Sequence, residues 1–113
     1  MFIQILQIIG AVGTILTGLF ALFKPADIKG FTGIHAEGGR GITEVRAVFG
    51  GVFIALGVLP FFVPAAYFVL GVTYLTIGLV RAVSMFLDKS VVQSNVISLA
   101  VEIVFGVILV VPL

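Results

Sequence analysis

Between Phe2 and Phe23 the chain carries no charged residue. About 20 apolar residues suffice to cross a ~30 Å hydrocarbon layer as an α-helix. Three more long apolar runs follow, each with only one or two charged residues, so spans are expected at about 2–23, 42–63, 65–87 and 91–112. With 61% hydrophobic and 10% charged residues, and a mean hydropathy of +1.36, the chain lacks the charge to cover a soluble surface. It is read as a single transmembrane domain over 1–113: all-α, an integral membrane four-helix bundle, antiparallel and up-down. No Lys or Arg precedes the first run, which is also longer than the ~7–15 apolar residues of a cleaved signal sequence. It is therefore expected to be a retained helix.

Composition excludes several function classes. A formal net charge of +1 gives no field for nucleic acid. The absence of Cys rules out disulfides, thiolate catalysis and Cys-ligated metals. With no Trp, an aromatic interface belt has only two Tyr and eleven Phe to draw on.

In the first span Gln4, Gln7, Ala11, Thr14 and Gly18 recur at helical spacing. Such small or polar stripes let membrane helices approach closely. Lys24-Pro25 ends that helix, because Pro cannot continue it. The segment 26–41 is the one real loop, with Gly30, Gly33, Gly38, Gly39 and Gly41 among Asp27, Lys29, His35, Glu37 and Arg40. It lacks the Gly-Lys-Ser/Thr ending of a phosphate-binding loop, so it is read as a flexible interfacial connector, with His35 solvated.

The charged residues inside the spans need partners. In the second helix Thr43 is expected to cap, with Glu44 in the first turn at the positive end of the helix dipole. Glu44 and Arg46 are two apart and face opposite ways. At α-helical spacing Glu44 continues into Ala47/Val48, Gly51 and Ala55, and Arg46 into Gly50, Phe53 and Gly57. Pro60 and Pro64 close this helix. In the third, Tyr74, Gly78, Arg81, Met85 and Asp88 share one face, with Ser84 beside it. Asp88-Lys89-Ser90 is a tight turn. In the fourth, Asn95, Ser98, Glu102 and Gly106 share a face, and Glu102 lies roughly 16 Å from Val91 by helix rise. A carboxylate that deep costs about 2.5–3.5 kcal/mol on insertion scales unless neutral, paired or hydrated. Arg81 or Arg46 is expected to pair with it, with Glu44 and Asp88 nearer the surface. Glu44, Arg46, Arg81, Ser84, Asp88 and Glu102 are thus the candidates for a buried polar network or a ligand-binding set. No nucleophile–His–acid set and no metal cluster is visible, so no catalytic residue is assigned.

Orientation follows from charge. Lys24, Lys29, Arg40, Arg46, Arg81 and Lys89 all fall toward the side of the loops 24–41 and 88–90. The positive-inside rule makes that side cytoplasmic and puts both termini outside, in a multi-pass protein of the bacterial inner-membrane type.

The pattern Glu44-x-Arg46-Ala47-x-x-Gly50-Gly51 entering the second span, with Arg81 and Ser84 in a later span and Glu102 in the last, resembles domain of unknown function 4345, a small DoxX-like four-helix membrane family. The likeness covers nearly the whole chain. It implies a four-span bundle without an assigned activity, with Glu44, Arg46, Gly51, Arg81 and Glu102 as recurrent positions and Asp88 as a looser match. Phe49 stands where that motif has a Tyr, which removes a hydroxyl.

The expected role is non-catalytic. The chain is either an accessory subunit packed on other membrane subunits or on further copies of itself, or a bundle holding a lipophilic molecule. No cofactor is identified, and a lipid or a quinone stays open as the ligand. The alternatives are a DoxX-like membrane redox enzyme or helper, and a proton or small-solute conduit using Glu102 with Arg46 and Arg81.

Overall fold

A computed structural model describes residues 1–112, with Phe31 through its backbone only. The described chain is helical, and four helices are long and apolar enough to cross a membrane: α1 (Phe2–Phe23), α2 (Gly38–Phe61), α3 (Ala66–Leu87) and α4 (Gln93–Val110). The punctuation is set by local chemistry. After Lys24 the chain makes a 3₁₀ turn at Pro25–Asp27 and a short helix at Lys29–Thr32. Gly33 stops that helix in the left-handed region at φ 76°, donating its N–H to the Lys29 carbonyl at 2.9 Å. Beyond α3, Lys89 takes a left-handed conformation at φ 52°, and the Ser90 N–H reaches the Met85 carbonyl at 2.9 Å. Val111, held extended before Pro112, ends α4.

The connector differs from the expected slack loop. α2 starts at Gly38 rather than at 42, so Thr43 lies inside the helix and caps nothing, and Glu44 is its seventh residue. Glu37 is extended, and its carbonyl accepts the Gly41 N–H at 3.1 Å. Clustered glycines suggest a break, yet glycine also accepts helical geometry once flanking packing supplies the energy. That packing is present. Ile28 is 2% exposed and sits with Ala21 and Val45 in a small core, against which Ala36 and Phe49 pack. Phe49 also meets Phe53 edge to face, with ring centroids 6.5 Å apart.

The chain divides into two compact units: Met1–Gly10 with the chain from Ala65 onward, and Ala11–Pro64. In the first, α3 and α4 run antiparallel. A Cβ placed on Gly71 would come within 2.8 Å of the Val110 backbone nitrogen, so only glycine lets the two backbones approach there. At the start of α1, Gln7 donates Nε2 to the carbonyls of Ile108 and Val111 at 2.9 and 3.0 Å. The Ile108 carbonyl also accepts the Val111 N–H at 3.3 Å, so Gln7 adds a second bond there and ties down the Val111 carbonyl just past the helix end. In the second unit the rest of α1 packs antiparallel on α2, with Gly18 against Gly50 and Ile54, and Gly57 against Ala11 and Ile15.

Most large apolar side chains face outward. Gln7, Thr14 and Glu102 are buried beside Ala11, Leu70 and Leu109, while Phe62 and Phe86 are each 78% exposed. In water such a surface would aggregate; in lipid it is the matched solvent. Of the stripe expected on α1, Gln7, Ala11, Thr14 and Gly18 are buried, whereas Gln4 faces outward.

A Cβ on Gly57 would fall 2.8 Å from the Ala11 carbonyl oxygen, whereas one on Gly13 meets nothing within 4 Å. Gly57→Ala is expected to cost about 1–3 kcal/mol as overpacking and to lower the melting temperature in detergent. Gly13→Ala should melt with the wild type, and equal melting of both variants would contradict this packing.

Candidate functional site

Two polar centres emerge, one in each unit. The first joins α3 and α4. Gly78 is buried on α3 and lies against the Glu102 and Leu99 side chains, bringing the helices close where Arg81 meets α4. Arg81 donates Nε to Glu102 Oε1 and Nη2 to Glu102 Oε2, both at 2.8 Å. This two-pronged fork is the strongest geometry available to a guanidinium and a carboxylate. Arg81 Nη1 reaches Asn95 Oδ1 at 2.9 Å, and Asn95 Nδ2 passes the chain to the Ser90 carbonyl at 2.9 Å. Glu102 lies about 14 Å along α4 from Gln93, near its midpoint. Its neutralisation by Arg81 removes the cost of a lone ion in hydrocarbon. Among the described residues, no buried side-chain nitrogen or oxygen is left without a partner.

Of the two arginines expected as partners for Glu102, Arg81 is the one bonded to it. Arg46 belongs to the other unit. The structure does not bring Ser84 or Asp88 into this cluster: the Ser84 carbonyl accepts the Asp88 N–H at 2.7 Å as the helix ends, and Asp88 is exposed at the hairpin turn. Asn95 completes the cluster and was not among the candidates. Its sequence signal was the spacing of seven to Glu102, two helical turns along one face.

The second centre lies where α1 ends and α2 begins. Glu44 pairs with Arg40 one turn earlier at 2.8 Å, with the two side chains 56% and 80% exposed. So open a pair contributes little. Arg46 donates Nε to the Leu22 carbonyl at 3.0 Å. That oxygen belongs to the last turn of α1, where carbonyls lack helical partners and a cation suits the negative end of the dipole.

Arg46 stands in a π-helical stretch, Val45–Gly50. There the Gly51 N–H reaches back to the Arg46 carbonyl. Gly50 and Gly57 pack against α1, and Arg46, bonded to Leu22, borders Ala47, Gly51 and Ala55. These small residues floor an open groove of about 560 Å³, walled by Leu22, Ile54, Val58, Leu59 and Phe62. Arg46 is the single charged side chain in its lining. Among the described residues its terminal nitrogens have no hydrogen-bond partner.

The model of the family described as Domain of unknown function (DUF4345) matches residues 2–113. The chain belongs to that family. No curated protein and no solved structure matches it. In this DUF4345 chain both polar centres therefore have to be interpreted from their own chemistry. Among the described residues, no group of three or more His, Cys, Asp or Glu is placed to hold a metal ion.

Removing one partner of the α3–α4 pair strands a charge. Glu102→Ala is expected to cost about 3–5 kcal/mol, seen as lost folded yield and earlier thermal unfolding. The double replacement Arg81→Met with Glu102→Met should recover most of that loss. A double variant as unstable as Glu102→Ala would show that the cluster does more than neutralise itself.

Proposed function

We propose that this chain is a non-catalytic membrane protein that holds a lipophilic molecule in the groove along α2. The carrying observation is the groove itself: an open apolar channel floored by Ala47, Gly51 and Ala55 and closed at one end by a guanidinium with unused donors. The floor is thin because of residue size. A Cβ on Gly51 meets nothing within 4 Å, so the space is left by sequence choice and is not filled from elsewhere in the described chain. Binding pockets for lipophiles combine this apolar lining with few polar groups.

The Arg81–Glu102 cluster supports a structural role. Both Glu102 oxygens are held by Arg81, so a conduit would have no free carboxylate there to pass a proton. An accessory-subunit role is the second reading, and the spacing Ala47-x-x-x-Gly51-x-x-x-Ala55 favours it, since such a face also admits a partner helix. For the setting, we propose a bacterial inner-membrane type of location with both termini outside and the Lys24–Arg46 end cytoplasmic, supported by the one-sided Lys and Arg.

Native mass spectrometry from mild detergent tests the groove. The wild type should retain a lipophile, and Gly51→Leu should lose it while melting unchanged. Retention by Gly51→Leu would overturn the groove reading, and a stoichiometric protein partner lost from Gly51→Leu would favour the accessory role. Alkaline phosphatase fused to the carboxyl end should be active and a fluorescent protein there dark; the reverse would overturn the orientation.

A further inference from the structure

We propose that the occupant of the α2 groove is an anionic phospholipid whose phosphate sits on Arg46. The inference rests on the groove-binding reading above and adds the class of ligand. Three observations carry it.

The first is the state of the Arg46 side chain. Its Nε is fixed on the Leu22 carbonyl at 3.0 Å, which aims the guanidinium and leaves Nη1 and Nη2 without partners among the described residues. A planar fork with two open donors matches the oxygens of a phosphate.

The second is level. The bond to Leu22 puts the guanidinium beside the last turn of α1, where the apolar run gives way to Lys24. That is where a membrane places its headgroups, and an arginine stem reaches the rest of the way by lying along apolar surface. Lys24 and Lys29 are exposed in the same connector. The carboxylates at this end are Asp27 and Glu37, both in the connector, and Glu44, which Arg40 already holds. Among the described residues none of the three is hydrogen-bonded to Arg46, so its charge is left for a ligand.

The third is polarity along the groove. From Arg46 to Phe62 the lining advances about 24 Å by helix rise, with one charged side chain at one end and apolar side chains thereafter. An amphiphile with an anionic head and a hydrocarbon tail has this distribution. A neutral quinone, or a partner helix without an acidic residue at this level, would draw nothing from the two open donors and the charge of Arg46, whereas a phosphate uses both.

The test uses full-length protein in discs of phosphatidylcholine containing a minority of phosphatidylglycerol, with retained lipids read by native mass spectrometry. Wild type should retain phosphatidylglycerol over phosphatidylcholine by about fivefold beyond its share, the weight of one basic side chain at an anionic surface. Arg46→Gln should bring the ratio near one with phosphatidylcholine retention unchanged, and Arg46→Lys should keep part of the preference. A wild type without preference, or Arg46→Gln with the preference intact, would overturn the assignment; the wild-type measurement stands even if the variants fold poorly. If Gly51→Leu sheds both lipids while the wild type shows no preference, the groove reading survives and the headgroup assignment falls. If Gly51→Leu keeps both lipids at wild-type levels, the groove reading itself falls. A quinone that displaces phosphatidylglycerol and binds Arg46→Gln as well as wild type would also overturn the assignment.

Discussion

Inside a bilayer an apolar side chain gains nothing by leaving lipid for protein, so helices must be held by close backbone contact and by polar bonds. That constraint accounts for what this chain buries. The interior holds glycines, alanines, Gln7, Thr14 and Glu102 beside a few large side chains such as Ile28, Leu70 and Leu109, and most large apolar side chains turn outward. Gly71 admits the Val110 backbone, and Gly57 admits that of Ala11. Gln7 then spends its amide on two carbonyls at the end of α4. Each contact is small, and each is available only because a side chain was withheld or a polar group was placed where water cannot reach.

The same constraint separates the two arginines. Arg81 lies where lipid would surround it, and Glu102 and Asn95 take up its donors. Arg46 lies at the end of α1, uses one donor on a backbone oxygen and keeps two free. A satisfied cluster fixes helix register, whereas an unsatisfied guanidinium beside an apolar groove is poised for a ligand. The contrast between the two centres underlies the functional proposal.

Much of this was legible from residues alone. The four apolar runs need only length and charge to be recognised, and the cost of a mid-membrane carboxylate made Arg81 or Arg46 the expected partner of Glu102. Two features escaped for physical reasons. The glycines at Gly38, Gly39 and Gly41 look like loop residues because glycine has no conformational preference to report, yet α2 begins among them. The π-helical stretch leaves no mark in side-chain periodicity, since it is itself the departure from that periodicity. The cap from Arg46 to Leu22 was hidden too, because its acceptor is backbone and carries no side-chain signature.

The claim beneath all of this is that the large outward side chains face lipid. The absence of native cysteine makes single spin labels clean. Labels at Leu79 and Val104, which are 68% and 53% exposed, test it most directly. In liposomes both labels should relax readily with dissolved oxygen and hardly at all with a water-soluble nickel complex. Strong relaxation of either label by the nickel complex would contradict the account.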